Sequence, residues 1–286
     1  MSTHQYNIAF FGTPPLTISF LETLATSGYI PTLIVTNPDR PQGRGMTLTA
    51  PLPKQWAETH AVQVVQPEVL DDAFFAELSN TPWDLFVVVA YGTIIPERII
   101  TLPKYGTINV HFSLLPQYRG ATPIEAAILQ ADTTTGISIQ QMAYKLDTGP
   151  VLTHHTEPIS TTDTTETLRE RLTTLACDAL PKTITDIFEG AAIAIPQDES
   201  KATYCKKIQK EDGFISLTDN ASILDRKFRA YTPRPGIFFM TPFNGQNIRV
   251  KITKAHYDTE NAFSIDEVIP ENMKRMSYAS FKQLLT

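Results

Sequence analysis

Residues 85–90 read Leu-Phe-Val-Val-Val-Ala, an unbroken apolar run. A strand of that composition has no face to show to water. It belongs in the middle of a sheet covered on both sides. Around it the chain alternates. Residues 7–11 (Asn-Ile-Ala-Phe-Phe), 32–36 (Thr-Leu-Ile-Val-Thr) and 62–65 predict further strands. Segments 16–25, 53–60 and 71–78 carry helical patterns, the first stopped by Ser27-Gly28. A strand at 108–111, a helix opening at Thr122 or Pro123 and running through Gln130, and a strand at 137–142 continue the series. The expected fold class is α/β, a Rossmann-like and mainly parallel sheet with helices on both faces.

The first strand-to-helix turn reads Gly12-Thr13-Pro14-Pro15. It lacks the GxGxxG glycines that let a backbone approach a pyrophosphate, so a dinucleotide site is not expected there. From Thr161 to Gly190 one long helix is expected, with Thr and Asp crowding its start as caps and Pro181 as the place to kink. Residues 1–190 thus read as one domain, 191–207 as a linker and 208–286 as a smaller second domain. In the latter, Ser222–Tyr231 reads as a helix, and 236–254 as a hairpin turning near Asn244-Gly245.

The 286 residues are 42% hydrophobic and 19% charged, as suits one or two globular domains. No apolar run is long enough to span a bilayer, and the N-terminal apolar stretch reads as a strand rather than a signal peptide. Two distant cysteines, Cys177 and Cys205, offer neither a disulfide framework nor a zinc motif, so a reducing cytoplasm is expected. The net charge of −6 is uneven. Residues 1–200 hold 10 Lys and Arg against 21 Asp and Glu; residues 201–286 hold 14 against 9. Any polyanion contact is expected mainly in the basic tail.

The candidate chemistry sits after the strand at 108–111. Asn109, His111 and Ser113 alternate with Val110 and Phe112 at a strand's carboxyl end, where open α/β sheets bind ligands. Asp147, in Leu146-Asp147-Thr148-Gly149, falls just past the next strand and can reach the same crevice. The Asn109 amide can donate to a developing oxyanion. His111 can donate there or move a proton, and Asp147 can fix and charge-stabilise His111. No GxSxG elbow is present, which favours direct attack by a substrate nucleophile. Read from the residues alone, the same set also fits a polar strand end bonded to neighbouring loops. Asp147 also fits a simple turn-former. His154-His155 invites a metal reading, but adjacent strand residues point to opposite faces, so no shared metal is expected.

Asn-Val-His-Phe-Ser-Leu-Leu-Pro-Gln-Tyr-Arg-Gly (109–120), followed by Leu-Asp-Thr-Gly (146–149), resembles the folate-dependent formyltransferases. Residues 36–45 (Thr-Asn-Pro-Asp-Arg-Pro-Gln-Gly-Arg-Gly) resemble the loop particular to methionyl-tRNA formyltransferases, and 87–96 also matches. The resemblance covers about residues 7–255 and resumes near Val268. It implies formyl transfer from 10-formyltetrahydrofolate to the α-amine of methionyl-tRNA, with no metal and a monomeric enzyme. Asn109 and His111 would stabilise the oxyanion, and Asp147 would hold His111 and assist proton removal. Ser113, Leu114, Leu115 and Pro116 would line the folate site. The backbone of Val89, Ala90, Tyr91 and Gly92, with Leu146 and Thr148, would edge the pterin. Arg40, Arg44, Lys206 and Lys207 would meet tRNA phosphates, with Lys210, Arg226, Lys227 and Arg229 nearby in sequence as a further basic patch.

Three departures stand out. Met46-Thr47 replaces lysines common after Gly-Arg-Gly in such proteins, and Phe112 stands where a glycine is frequent. The resemblance also implies a small OB-like β-barrel at the C-terminus. Here only three or four candidate strands can be counted, so a shortened barrel is expected. An amino-sugar nucleotide formyltransferase and a tRNA-binding module without catalysis are the competing readings. The 36–45 loop and basic tail argue against the first, and the Asn109, His111 and Asp147 set against the second.

Overall fold

In a computed structural model the described residues are 6–42, 46–257 and 262–285. They divide into two compact units. Unit 1 comprises residues up to Ala121, Gly136–Glu157 and Arg171–Tyr204; unit 2 comprises Thr122–Thr135, Pro158–Glu170 and the chain from Cys205. The division differs from the contiguous one suggested by the sequence. Residues 191–204, expected as linker, fold against unit 1, where Ile195 exchanges backbone hydrogen bonds of 2.8 Å with Val151. Pattern alone does not reveal that attachment, because the segment carries no period.

Elements run in the order β1 (Ile8–Gly12), α1 (Thr17–Thr26), β2 (Leu33–Val35), β3 (Arg40–Gln42), β4 (Thr47–Thr49), α2 (Leu52–Thr59), β5 (Gln63–Val65), α3 (Asp72–Leu78) and β6 (Leu85–Val89). There follow α4 (Glu97–Ile100), β7 (Thr107–His111), β8 (Arg119–Gly120), α5 (Pro123–Leu129), β9 (Thr134–Gln141), β10 (Val151–Pro158) and α6 (Thr165–Phe188). The chain continues with β11 (Tyr204–Cys205), α7 (Ala221–Tyr231), β12 (Ile237–Phe243), β13 (Gln246–Tyr257), β14 (Phe263–Pro270), β15 (Met276–Ser277) and α8 (Tyr278–Leu284).

Unit 1 is built on a seven-stranded sheet ordered β10-β9-β7-β6-β1-β2-β5. β5, β2, β1, β6 and β7 pair in parallel; β9 turns antiparallel against β7. The apolar run behaves as its composition requires: every residue of β6 is buried. Phe11, Trp83, Phe86 and Tyr91 share a core cluster, with Phe86 edge-on to Trp83 at 5.6 Å. Burying each such ring stabilises the fold by roughly 1.5–3 kcal/mol. α3 starts where Asp71 accepts the backbone N–H of Phe74 at 3.0 Å, a side-chain N-cap. α6 continues through Pro181 without interruption.

Gly12 ends β1 at a close approach. A Cβ there would lie 2.6 Å from Phe10 Cε1 and 3.0 Å from the Val89 carbonyl oxygen, so no larger residue fits without shifting β6. Expected as loop, residues 40–42 and 47–49 instead form two short antiparallel strands, β3 paired with β4 in the register Arg40↔Thr49, Pro41↔Leu48, Gln42↔Thr47. Two β-branched threonines on β4 favour that extended pairing.

Unit 2 carries the antiparallel sheet β12-β13-β14-β15. The hairpin turns where the sequence places it. Asn244 and Gly245 both have positive φ, 49° and 77°, as a two-residue hairpin turn demands. The shortened barrel thus takes the form of a four-stranded sheet, with a bulge in β13 between Ile252 and Lys254. α7 is capped by Asn220 and packs on α5. There the carboxyl group of Glu125, 3.1 Å from Arg169, is pushed up by burial.

Candidate active site

β7 delivers Asn109 and His111 to one face, and β9 answers them in register: Asn109 lies opposite Gln140, His111 opposite Ser138. Directly opposed residues of an antiparallel pair share a face. Four polar side chains therefore meet at the carboxyl end of β7. Ser138 is fully buried; its hydroxyl donates to the Ser113 carbonyl at 2.6 Å and accepts the Leu115 N–H at 2.9 Å. That pair of bonds holds the Ser113–Pro116 loop against the sheet. Ser113 turns its own hydroxyl inward, donating to the Gln117 carbonyl at 2.5 Å, and Leu115 is buried while Leu114 and Pro116 are half-buried.

His111 is nearly buried. Its Nε2 lies 2.9 Å from the Tyr118 carbonyl oxygen; a carbonyl can only accept, so Nε2 carries the hydrogen. Its Nδ1 is 3.7 Å from Asp147 Oδ2, with the two side chains only 7% and 10% exposed. A positive charge on the ring would be matched by that carboxylate in a poorly hydrated place. The Asn109 amide has no protein hydrogen-bond partner among the described residues.

Asp147 is held from several sides. Its φ is +51°, a left-handed conformation that Asp tolerates better than most residues. Gly149 follows because a Cβ there would collide with the Gln141 carbonyl oxygen. Oδ2 accepts the Gly120 N–H at 2.8 Å, and Oδ1 accepts from Gln140 Nε2 at 2.9 Å. Gln197 Nε2 donates to the carbonyls of Asp147 and Gly149, both at 2.7 Å. Behind Gln197 stands Arg119, a fully buried guanidinium. It donates to Gln197 Oε1 at 3.1 and 2.8 Å, to Glu199 at 2.9 and 2.7 Å and to the Tyr204 hydroxyl at 3.1 Å. The Arg119 guanidinium holds the Glu199 carboxyl below its usual range.

The loop after β6 turns through two positive-φ residues, Ala90 at 47° and Gly92 at 78°. Tyr91 sends its ring into the core, edge-on to Phe11 at 5.5 Å, where burial pushes its hydroxyl up to about 12. What this loop can offer a ligand is therefore backbone. Leu146 is exposed, and Thr148 bonds back to the Lys145 carbonyl at 3.0 Å.

A cavity of about 610 Å³ lies past β1, β2 and β5, with walls that include Pro14, Pro15, Pro38, Pro51 and Thr93. Asn109, His111 and Asp147 do not line it. The chemistry is assigned from the converging side chains rather than from that cavity. Arg40 lies on its rim, paired with Glu68 at 2.9 Å. Arg44 lies outside the described residues. Lys206 and Lys207 are exposed in unit 2. Among the described residues no three His, Cys, Asp or Glu side chains gather as a metal site. His154 and His155 are both exposed on β10.

Thus Asn109, His111 and Asp147 come together, with Ser113–Pro116 in the loop that follows β7. The sequence reading missed Ser138, Gln140, Arg119 and Gln197. Ser138 and Gln140 carry a signal in the period-two polar spacing of a strand otherwise rich in Ile. Gln197, in an aperiodic segment, has none.

Comparison with known proteins places these features. The profile described as formyl transferase matches residues 6–184, and that of the formyl transferase C-terminal domain matches 207–264. The methionyl-tRNA formyltransferase of Hydrogenovibrio crunogenus is 40% identical over 249 residues, covering 87% of this chain and 79% of the relative. That of Nitrosomonas europaea is 41% identical over 244 residues, covering 85% and 75%. Among solved structures, a sugar N-formyltransferase from Shewanella aligns with TM-score 0.66 at 16% identity, covering 89% of this chain and all of that one. HypX from Aquifex aeolicus, in complex with tetrahydrofolic acid, aligns with TM-score 0.67 at 15% identity, covering 97% and 47%. At such identities the two structures speak for the fold alone.

Proposed function

The chain belongs to the formyl transferase family, and from that premise we propose that it moves the formyl group of 10-formyltetrahydrofolate onto the α-amine of methionyl-tRNA. Asn109, His111 and Asp147 do the chemistry. The observation that carries this assignment is the convergence of a free side-chain amide, an imidazole and a carboxylate at one strand end, in a chain about 40% identical to methionyl-tRNA formyltransferases.

An amine attacking an amide-like formyl carbon places negative charge on the formyl oxygen. The Asn109 Nδ2–H, which has no competing protein acceptor, is the first donor to that oxyanion. The His111 Nε2–H is the second: the oxyanion outbids the neutral Tyr118 carbonyl that holds this hydrogen in the free protein. Asp147 keeps His111 oriented and balances its charge. Each of its oxygens accepts one hydrogen bond and retains a lone pair, so it can also take the proton that the amine must lose. As the new C–N bond forms, the bond from the formyl carbon to the folate N10 breaks and that nitrogen receives a proton. No covalent enzyme intermediate is involved.

The Ser113–Pro116 loop and the backbone of Val89 to Gly92 bind the folate. Leu114 and Pro116 offer half-buried apolar surface, and Leu146 and Thr148 border the pterin. Arg40, Arg44, Lys206 and Lys207 meet tRNA phosphates. Arg40 must first give up Glu68, and a pair with side chains 63% and 65% exposed is readily exchanged. The protein acts as a monomer in the cytoplasm; no helix among the described residues is long and apolar enough to cross a membrane.

The test is formyl transfer by the purified protein from 10-formyltetrahydrofolate to methionyl-tRNA, run beside an amino-sugar nucleotide. Formylmethionyl-tRNA is the expected product. Transfer to the sugar alone would overturn the acceptor assignment, and transfer to neither would overturn the activity.

A further inference from the structure

β9 contributes more to this site than a neighbouring strand must. Of its residues facing Asn109 and His111, Ser138 fixes the Ser113–Pro116 loop and Gln140 reaches Asp147. Gln140 is only 1% exposed, an unusual place for a carboxamide. Its orientation is forced. An ionised carboxylate has only acceptors, so the NH₂ must face Asp147 Oδ1, 2.9 Å away. Oε1 then points the other way, buried and without a partner among the described residues. A buried unpaired acceptor is costly and calls for a reason.

The reason lies one strand away. Asn109 is the direct cross-strand neighbour of Gln140, with side chains on the same face at a Cβ separation of about 4.5–5.5 Å. Its amide likewise lacks a protein partner. One residue is missing a donor and the other an acceptor, side by side. We propose that Gln140 is a positioning residue that ties Asn109 to Asp147: its Oε1 accepts one N–H of the Asn109 amide while its Nε2 donates to the Asp147 carboxylate. The inference rests on the formyl-transfer reading above. Asn109 then keeps its second N–H for the formyl oxygen, and the oxyanion donor and the carboxylate become parts of one hydrogen-bonded chain. The Asn109–Gln140 link tightens on substrate binding, as catalytic hydrogen bonds commonly do. Among the described residues, His111 on β7 is the ionisable partner of Asp147, and the Arg119–Glu199 pair stands behind Gln197.

Two substitutions test this. Gln140→Met keeps the volume and removes both hydrogen bonds. Gln140→Glu keeps the shape and the acceptor but sets an oxygen against Asp147. The expected result for Gln140→Met is a kcat lower by roughly ten- to a hundredfold, from misplacement of the reacting groups. The KM for each substrate should stay within about twofold, while the thermal midpoint falls modestly, because the nearly buried Asp147 Oδ1 loses its donor. Gln140→Glu should lose more kcat than Gln140→Met, despite its closer shape. A wild-type kcat in Gln140→Met overturns the proposal. So does a loss of activity carried by KM with kcat unchanged, which marks a residue that shapes the binding site rather than one that places the reacting groups. So does a Glu variant more active than the Met variant. Absence of transfer by the unaltered protein would instead defeat the underlying functional reading.

Discussion

Replacing Arg119 by methionine fills the space of its aliphatic stem and removes the one charge that unit 1 buries completely behind the candidate site. The consequences differ from partner to partner. Glu199 is 67% exposed and Tyr204 is largely exposed, so both recover water when the guanidinium goes. Gln197 is half-buried, and its Oε1 loses both of its donors. Removing one member of a fully buried pair costs about 3–5 kcal/mol. Stranding a single buried acceptor costs about 1–3 kcal/mol. With hydration returning to Glu199 and Tyr204, the smaller mechanism decides, and the expected destabilisation is about 2 kcal/mol. Urea unfolding should show a lower midpoint with an unchanged slope. Turnover should also fall, because Gln197 clamps the carbonyls of Asp147 and Gly149. An unchanged midpoint would refute the reasoning that Arg119 is held by burial rather than by a dispensable surface pair. A lower midpoint with full kcat at a permissive temperature would show that Gln197 keeps its place without Arg119.

Asn109→Ala should lower kcat by about 10²–10³ in a formylation assay with little change in KM, as loss of an oxyanion donor does; a KM effect alone would contradict that role. Lys206→Ala with Lys207→Ala should weaken tRNA binding and reduce the slope of log K against log salt by about one to two, and an unaltered slope would exclude phosphate contacts there. Because Arg119 holds the Glu199 carboxyl below its usual range, the pair's contribution is present at neutral pH and is lost as the pH falls below the ordinary Glu range. Stability measured against pH should therefore decline less on the acid side in Glu199→Gln than in the unaltered protein.

The α/β layer was legible because its signals are local. The run at 85–90 reads as a central strand and 71–78 as a helix, and in the second unit Asn244-Gly245 reads as a hairpin turn by the same kind of local signal. The meeting of Asn109, His111 and Asp147 was legible only in part. The carboxyl end of β7 marks the crevice. But β9 runs antiparallel to β7, and Asp147 reaches His111 because the loop after β9 folds back to accept from Gln140 and the Gly120 N–H. What stayed hidden depends on contacts distant in sequence. Gln197 lies 50 residues from the carbonyl it binds, in a segment with no period to announce it. Arg119 reads as a loop arginine until Gln197, Glu199 and Tyr204 fold over it. The discontinuous units have the same origin, since no composition shift marks residues 122–135 or 158–170 as partners of the C-terminal chain. Residues 40–42 and 47–49 read as loop because Pro41, Gly43 and Gly45 interrupt any period, yet β3 and β4 pair, with the β-branched Thr47 and Thr49 favouring the extended backbone.

The central claim concerns Asp147, and single-turnover formylation of methionyl-tRNA by Asp147→Ala, with tRNA binding measured in parallel, tests it most directly. Binding close to that of the unaltered protein with no detectable transfer is the predicted result. Transfer near the original rate would contradict the assignment.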